Sequence, residues 1–134
     1  MLAKYNPPTV HEPAGYSHVT ISSAGRLAHL AGQCPLDLAG AVVGQPGDYA
    51  AQTDQVISNC LAVLEAAGTQ PADVVRSVVY VVSSDSSVLA AVWQQLNASA
   101  LAPAFTTAST LLGVAALGYQ GQLVEVDLTA ALPA

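Results

Sequence analysis

The segment from Pro103 to Leu128 constrains the fold of this 134-residue chain most, because it has the pattern of two strands joined by a glycine-containing turn. In its last six residues, side chains alternate between two faces of a strand. One face carries the apolar residues Val124, Val126 and Leu128. The opposite face carries Glu125 and Asp127 beside a leucine. A polar face of this kind is usually exposed to solvent, and we expect Asp127 to be solvated in this way. Glu125 lies in the middle of the strand and is the better candidate for a functional site.

Three further strands are predicted upstream. Alternation predicts a hairpin with strands at residues 16–22 and 26–32, joined by a turn at Ser23–Gly25. Valine-rich residues 72–82 carry β-branched side chains on both faces, which is typical of a central strand buried on each side. Arg76 and Tyr80 share one of those faces. The loop from Leu36 to Gly47 is expected to hold a short strand at residues 41–43.

Two amphipathic helices are predicted from apolar side chains at three- and four-residue spacing. The first follows an N-cap at Asp48 and ends at Gly68. Its apolar stripe consists of Val56, Ile57, Cys60, Leu61, Leu64 and Ala67. The second follows Ser84 or Asp85, and its stripe consists of Val88, Leu89, Val92, Trp93 and Leu96. Because Cys60 lies within a stripe, we predict that it packs in the core.

This order of elements predicts an α+β fold with two layers, in which two helices cover one face of a mixed sheet through βαβ crossovers. We predict one domain at residues 15–134. Residues 1–14 contain three prolines and little periodicity, so we expect an extended N-terminal arm in which His11 and Glu12 join no cluster.

The charge content excludes several classes of function. Only 9% of residues are charged, against about a quarter in ordinary soluble domains, so we expect part of the surface to be buried against another copy. With a net charge of -6 and three dispersed cations, Lys4, Arg26 and Arg76, a nucleic-acid partner is not expected. No apolar run approaches the roughly 20 residues of a membrane span, and no secretory leader is visible. We therefore expect a cytoplasmic protein.

No cofactor or metal site is predicted. The chain has no P-loop or dinucleotide-binding glycine motif. His18 and His29 lie on predicted strands without a third ligand at metal-binding spacing. Cys34 and Cys60 fall on different elements and are expected to be free thiols.

Several motifs, in the same order along the chain, resemble those of the Rid family, also called the YjgF-type or reactive intermediate deaminase family. They are Gly15-Tyr16-Ser17-His18, Leu30-Ala31-Gly32-Gln33-Cys34-Pro35, the helix from Gln52 to Gly68, and Leu112-Gly113-Val114-Ala115-Ala116-Leu117 followed by Leu123-Val124-Glu125-Val126. The resemblance implies a chorismate-mutase-like fold and a homotrimer whose sheets face a central axis. It also implies a small-molecule cleft at each subunit boundary.

Catalytic members of that family hydrolyse 2-imino acids formed from enamines. Carried over to this chain, the glutamate that orients or deprotonates the attacking water matches Glu125, and the cleft tyrosine matches Tyr16. The backbone that contacts substrate matches Ala31 and Gly32. Further substrate contacts are expected at the strand position Thr110.

The family arginine that grips the substrate carboxylate has no counterpart here. Counting back from Gly113-Val114 places Ser109 in its position, whereas counting forward from Pro103-Ala104 places Phe105 there. The family's second-helix asparagine falls near Ala90, and its cysteine or threonine after the arginine falls near Leu111. Among the remaining cations, Arg76 is expected to pair with a carboxylate and Arg26 to be solvated.

Two hypotheses follow from different classes of function. The first is a divergent imine or enamine hydrolase that uses Glu125 and backbone groups around Gly32 and Thr110 without a carboxylate grip. The second is a trimeric module that binds a small ligand or a partner without hydrolysis. Loss of the arginine favours the second for the usual substrates, and retention of Tyr16, Gly32 and Glu125 keeps the first open.

Overall fold

The computed structural model describes residues 2–23 and 25–133 and confirms the two-layer α+β fold. The strands are β1 (Leu2–Tyr5), β2 (Val19–Ser22), β3 (Leu27–His29), β4 (Val74–Val82), β5 (Ala108–Val114) and β6 (Val124–Ala131), and the helices are α1 (Tyr49–Ala67) and α2 (Ser86–Asn97). Short 3-10 helices, Pro71–Asp73 and Ala102–Phe105, precede β4 and β5. Within the described part of the chain, no helix is long and apolar enough to cross a membrane.

The main sheet has four strands in the order β3-β6-β4-β5. As predicted, the valine-rich strand β4 is central. It pairs in parallel with β5, to which α2 connects it, and antiparallel with β6. β4 therefore lies between β5 and β6, and the connection at residues 115–123 crosses over the end of β4.

The predicted hairpin of two neighbouring strands at residues 16–32 is wrong. β2 pairs antiparallel with β1 in a separate two-stranded sheet, whereas β3 pairs with β6 in the main sheet. Alternation predicts a strand but not its partner, and residues 2–5 offer β2 an antiparallel edge. The N-terminal segment thus contains a strand where we expected only an extended arm. The predicted turn includes Ala24, which lies outside the described residues.

The core lies between the helices and one face of the sheet. The alternation predicted for β6 is confirmed, because Val124, Val126 and Leu128 have no solvent exposure while Glu125 and Asp127 are half-buried. One face of β4 is fully buried, whereas the opposite face is only partly covered. The predicted burial of both faces is therefore not seen within a single chain. Between residues 36 and 43, the predicted short strand is reduced to an isolated bridge between Leu36 and Val42.

Both helices begin where the sequence places their caps. The Asp48 carboxylate accepts a hydrogen bond from the backbone N–H of Ala51, and Gly68 ends α1 in the left-handed conformation at φ 80°. Asp85 is the N-cap of α2. Cys60 is fully buried in the core, as predicted. Ala67 is exposed, so the apolar stripe of α1 ends one turn earlier than expected.

Candidate functional site

The Glu125 carboxylate lies on the sheet face away from the helices and is held by neighbouring side chains. Its Oε1 accepts hydrogen bonds from Gln122 Nε2 at 3.0 Å and from Cys34 Sγ at 3.3 Å. Its Oε2 packs against Gly32, where an added Cβ would lie only 2.0 Å away. We call Gly32, Cys34, Gln122 and Glu125 the carboxylate cluster. A side chain at this position would displace the carboxylate from the space that it occupies.

Gln122 extends this cluster into the core. Only 3% of its surface is exposed, its Oε1 accepts from the backbone N–H of Tyr119 at 3.1 Å, and its Nε2 also donates to Val124 O at 3.2 Å. An amide fixed at both ends gives Glu125 a defined orientation. Ala31 lies beside the cluster, and its carbonyl accepts from Gln33 Nε2.

The Cys34 thiol is protonated in this environment. Burial, followed by the hydrogen bond and the negative charge of Glu125, raises the pKa of Cys34 to about 11. At neutral pH the thiol is therefore a weak donor to the carboxylate and a poor nucleophile. Neither Cys34 nor Gln122 was assigned a site role from the sequence, because their contacts with Glu125 depend on how β6 meets the loops on either side.

A second group of predicted residues lines a cavity of about 410 Å³ between α2 and β5, which we call the Tyr16 pocket. Tyr16, Ser109 and Leu111 all line it, and so does Ala90, the position of the family asparagine. Its other lining residues are Ala14, Ser86, Leu89 and Trp93. Four positions matched by sequence to the family cleft thus converge on one cavity.

Tyr16 is held by His11, for which the sequence predicts no partner. Its hydroxyl makes a hydrogen bond with His11 Nε2 at 2.8 Å. The ring of His18 stacks edge-on against that of His11, with centroids 4.7 Å apart, and its Nε2 bonds the His11 carbonyl. The expectation that His11 joins no cluster is therefore wrong. It failed because the segment has no regular periodicity from which the contact could be read.

The geometry separates the two positions considered for the missing arginine. Phe105 is fully buried and packs edge-on against Trp93, with ring centroids 5.6 Å apart, so it belongs to the core. Ser109 lines the Tyr16 pocket and shares a hydrogen bond with the buried Ser77. The packing thus favours the count that aligns Ser109 with the arginine.

The cations elsewhere in the chain lie outside the Tyr16 pocket. Arg76 donates to Thr110 Oγ1 at 2.6 Å, so this hydrogen bond goes to a hydroxyl and not to the carboxylate that we predicted. Arg26 is exposed, and Lys4 donates to Thr106 Oγ1. None of the described residues lining the pocket is charged.

The chain does not bring all the predicted site residues together. Ser109 and Leu111 project to the helix side of β5, whereas Thr110 projects to the opposite face, where Arg76 contacts it. Glu125 shares that opposite face but lies on β6, with β4 in between. The carboxylate cluster and the Tyr16 pocket are thus two separate groups within one subunit.

Comparison with known proteins assigns the chain to a family. A family model described as Endoribonuclease L-PSP matches residues 9–132, and a solved structure of a Rid-family protein, YyfB from Yersinia pestis, is 36% identical. This chain therefore belongs to the L-PSP or Rid family. The YyfB match covers 98% of both chains with a TM-score of 0.82, and that protein is described as having unknown function.

Two further relatives extend the comparison. The structure of YEO7 from yeast is 25% identical, with 99% of this chain and 100% of that chain covered and a TM-score of 0.68. Protein DfrA of Myxococcus xanthus is 40% identical over 65 residues, which is 48% of this chain and 49% of DfrA. The matched region thus spans about half the length of that curated relative.

Proposed function

We propose that this protein is a cytoplasmic homotrimer that binds a small molecule between subunits, where the carboxylate cluster of one subunit faces the Tyr16 pocket of the next. The separation of the two groups within one chain supports this arrangement. The exposed apolar residues Leu27 and Leu112 also support it, since they lie on the sheet face that the helices leave open. Sedimentation equilibrium at micromolar concentration should give a mass near three chains, and a monomer would contradict the proposal.

We further propose that the site hydrolyses imines or enamine-derived imines. The observation that carries this step is the fixed Glu125 carboxylate, whose Oε1 is held by two donors. As a general base, it would take a proton from water while the water oxygen bonds to the imine carbon. The C=N electron pair moves to nitrogen, which takes up the proton that Glu125 removed from the water, and the hydroxyl proton of the adduct follows it. Collapse of the adduct then breaks the C–N bond, releases ammonia and leaves the carbonyl product.

A non-catalytic ligand-binding module is the second candidate. It is favoured by the uncharged pocket lining, because 2-imino acids would find no guanidinium to bind their carboxylate. Ribonuclease activity, which the description of the family model names, is not proposed here. The net charge of -6 and three dispersed cations offer the phosphate backbone little attraction.

The hydrolase proposal is tested with an uncharged imine. Phenylmethanimine can be generated in situ from benzylamine by a flavin amine oxidase, and its hydrolysis followed as benzaldehyde release above the spontaneous rate. We expect Glu125→Gln to lower the enzymatic rate about 100-fold or more, since general-base catalysis contributes 10²–10⁴. Asp127→Asn is the matched control, because it removes a carboxylate from the same face of the same strand.

The outcomes separate the two candidates. Acceleration that depends on Glu125 but not on Asp127 supports hydrolysis. Equal loss in both variants would contradict the role of Glu125 as base. Trimer formation and saturable ligand binding without acceleration of any imine would favour the binding module.

A further inference from the structure

We infer that the Tyr16 pocket selects a largely apolar small molecule that has an aromatic group and no negative charge. This inference rests on the proposed function, because it names the ligand class of the same site, and it goes beyond the missing arginine. It is carried by the walls of the pocket, by the partners of its hydroxyl groups, and by the charge at the start of α2.

The walls suit an aromatic group. At about 410 Å³ the cavity is within the usual size range of small-molecule sites, and Leu89, Leu111 and Trp93 supply apolar surface. Trp93 packs edge-on against the buried ring of Phe105 at an interplanar angle of 67°, so its orientation is fixed by the core. A rigid indole beside two leucines favours an aromatic ligand because little side-chain entropy is lost on binding.

Two of the three hydroxyl groups that line the pocket, those of Ser109 and Tyr16, are already engaged, and the third belongs to Ser86. The Ser109 hydroxyl lies within hydrogen-bond distance of Ser77 Oγ and of Thr107 O at 3.0 Å. The Tyr16 hydroxyl is engaged with His11. A highly polar ligand would exchange its bonds with water for few bonds in the pocket, which costs binding free energy. One polar group on an otherwise apolar molecule is the most that this lining readily accommodates.

The start of α2 does not replace the missing guanidinium. Ser86, the first residue of the helix, lines the pocket, and a free helix N-terminus would attract a carboxylate. Here the Asp85 carboxylate caps that terminus, accepting from Ser87 N at 2.9 Å and from Ser87 Oγ at 2.7 Å. The hydrogen bond from the Ser87 hydroxyl, and to a lesser extent the one from the Ser87 backbone, holds the pKa of Asp85 below its ordinary value. An anionic ligand therefore finds this helix N-terminus already capped by a carboxylate.

Three probes of nearly equal shape test the inference: phenylacetamide is neutral, phenylacetate is anionic and phenethylamine is cationic at neutral pH. Trp93 is the only tryptophan in the chain and lines the pocket, so its fluorescence should report occupancy directly. Calorimetric titration supplies an independent affinity. We expect both phenylacetamide and phenethylamine to bind more tightly than phenylacetate, phenylacetamide by about tenfold or more, since a carboxylate desolvated without a partner costs at least as much as one hydrogen bond.

Substitutions then test the cause of the preference. Ser109→Arg should make phenylacetate the tightest of the three probes, whereas the uncharged control Ser109→Gln should not. Asp85→Asn keeps an N-cap but removes the charge, so it should improve phenylacetate binding about twofold and leave phenylacetamide unchanged. Circular dichroism of each variant controls for folding, and the order of affinities in the unmodified protein is informative without any variant.

Several results would overturn the inference. They are phenylacetate binding as tightly as phenylacetamide or phenethylamine, or no probe changing Trp93 fluorescence up to millimolar concentration. These failures are distinct from failure of the proposed function. If phenylacetamide binds but no imine is hydrolysed, the ligand class stands and the hydrolase is rejected. If imines are hydrolysed in a Glu125-dependent manner without any discrimination against phenylacetate, the hydrolase stands and the ligand class is rejected.

Discussion

Replacing Gly32 with alanine should displace the Glu125 carboxylate without disturbing the backbone. The added Cβ would lie 2.0 Å from Oε2 and 3.2 Å from Cγ of Glu125, far inside van der Waals contact for the oxygen. Gly32 is not one of the glycines with positive φ, so alanine introduces no conformational strain of its own. The flexible carboxylate must therefore swing away, and its bonds to Gln122 and Cys34 are lost.

The expected cost follows from those two bonds. A hydrogen bond to a charged group contributes about 1.5–3 kcal/mol, and the thiol contributes less because S–H is a weak donor. Glu125 is half-buried, so water restores part of that loss. Alanine also lowers the entropy of the unfolded chain, which stabilises the protein by about 0.4–1 kcal/mol. We expect a net destabilisation of about 1–2 kcal/mol.

A double-mutant cycle isolates this mechanism. Urea denaturation should give the free energy of unfolding for Gly32→Ala, for Glu125→Ala and for the double variant. Without the carboxylate, Gly32→Ala should be neutral or stabilising by about 0.5 kcal/mol. An equal cost in both backgrounds would refute the reasoning, because the added methyl group would then clash with something other than Glu125.

Three further predictions concern the thiols, the core and nucleic acid. Because Cys34 has a pKa of about 11, alkylation by iodoacetamide should keep accelerating above pH 9, and Glu125→Gln should speed it at pH 8; a rate that levels off near pH 8 would contradict the assignment. Cys60 is buried, so iodoacetamide should alkylate it only when the protein unfolds. Phe105→Arg should cost at least about 4 kcal/mol, measured by thermal unfolding, because it places a charge in the core, and a folded variant of ordinary stability would contradict the burial described here. Filter binding should detect no retention of RNA or duplex DNA at sub-micromolar concentration and physiological salt, and salt-sensitive retention would show that the dispersed cations suffice.

The elements that the sequence predicts well are those whose determinants are local. The caps at Asp48 and Asp85 and the left-handed Gly68 act within one helical turn, and the alternation in β6 needs only consecutive residues. Strand partners depend on distant residues. Nothing in residues 16–32 indicates that β2 pairs with residues 2–5 while β3 joins β6.

The candidate site divides in the same way. Glu125 could be singled out because a carboxylate in the middle of a strand is unusual, whereas Ser109 and Leu111 follow only from the resemblance to the family. Cys34 is 91 residues away from Glu125, so only the folded sheet reveals their contact. His11 and Tyr16 are five residues apart, but they lie in a segment without periodicity, where spacing does not determine which side chains meet.

The position of β6 between β3 and β4 also has a consequence for the order of folding. Its residues come last among the strands, yet β3 contacts the main sheet only through them. While the chain emerges from the ribosome, β4, α2 and β5 can associate as a local parallel unit, but β3 has no edge to join until residue 131 is available. The part of the apolar face of α1 that rests on β6 stays uncovered for the same interval. A nascent chain of this protein therefore exposes much of its future core until synthesis of the last strand, which makes that interval the one in which aggregation or chaperone binding is most favoured.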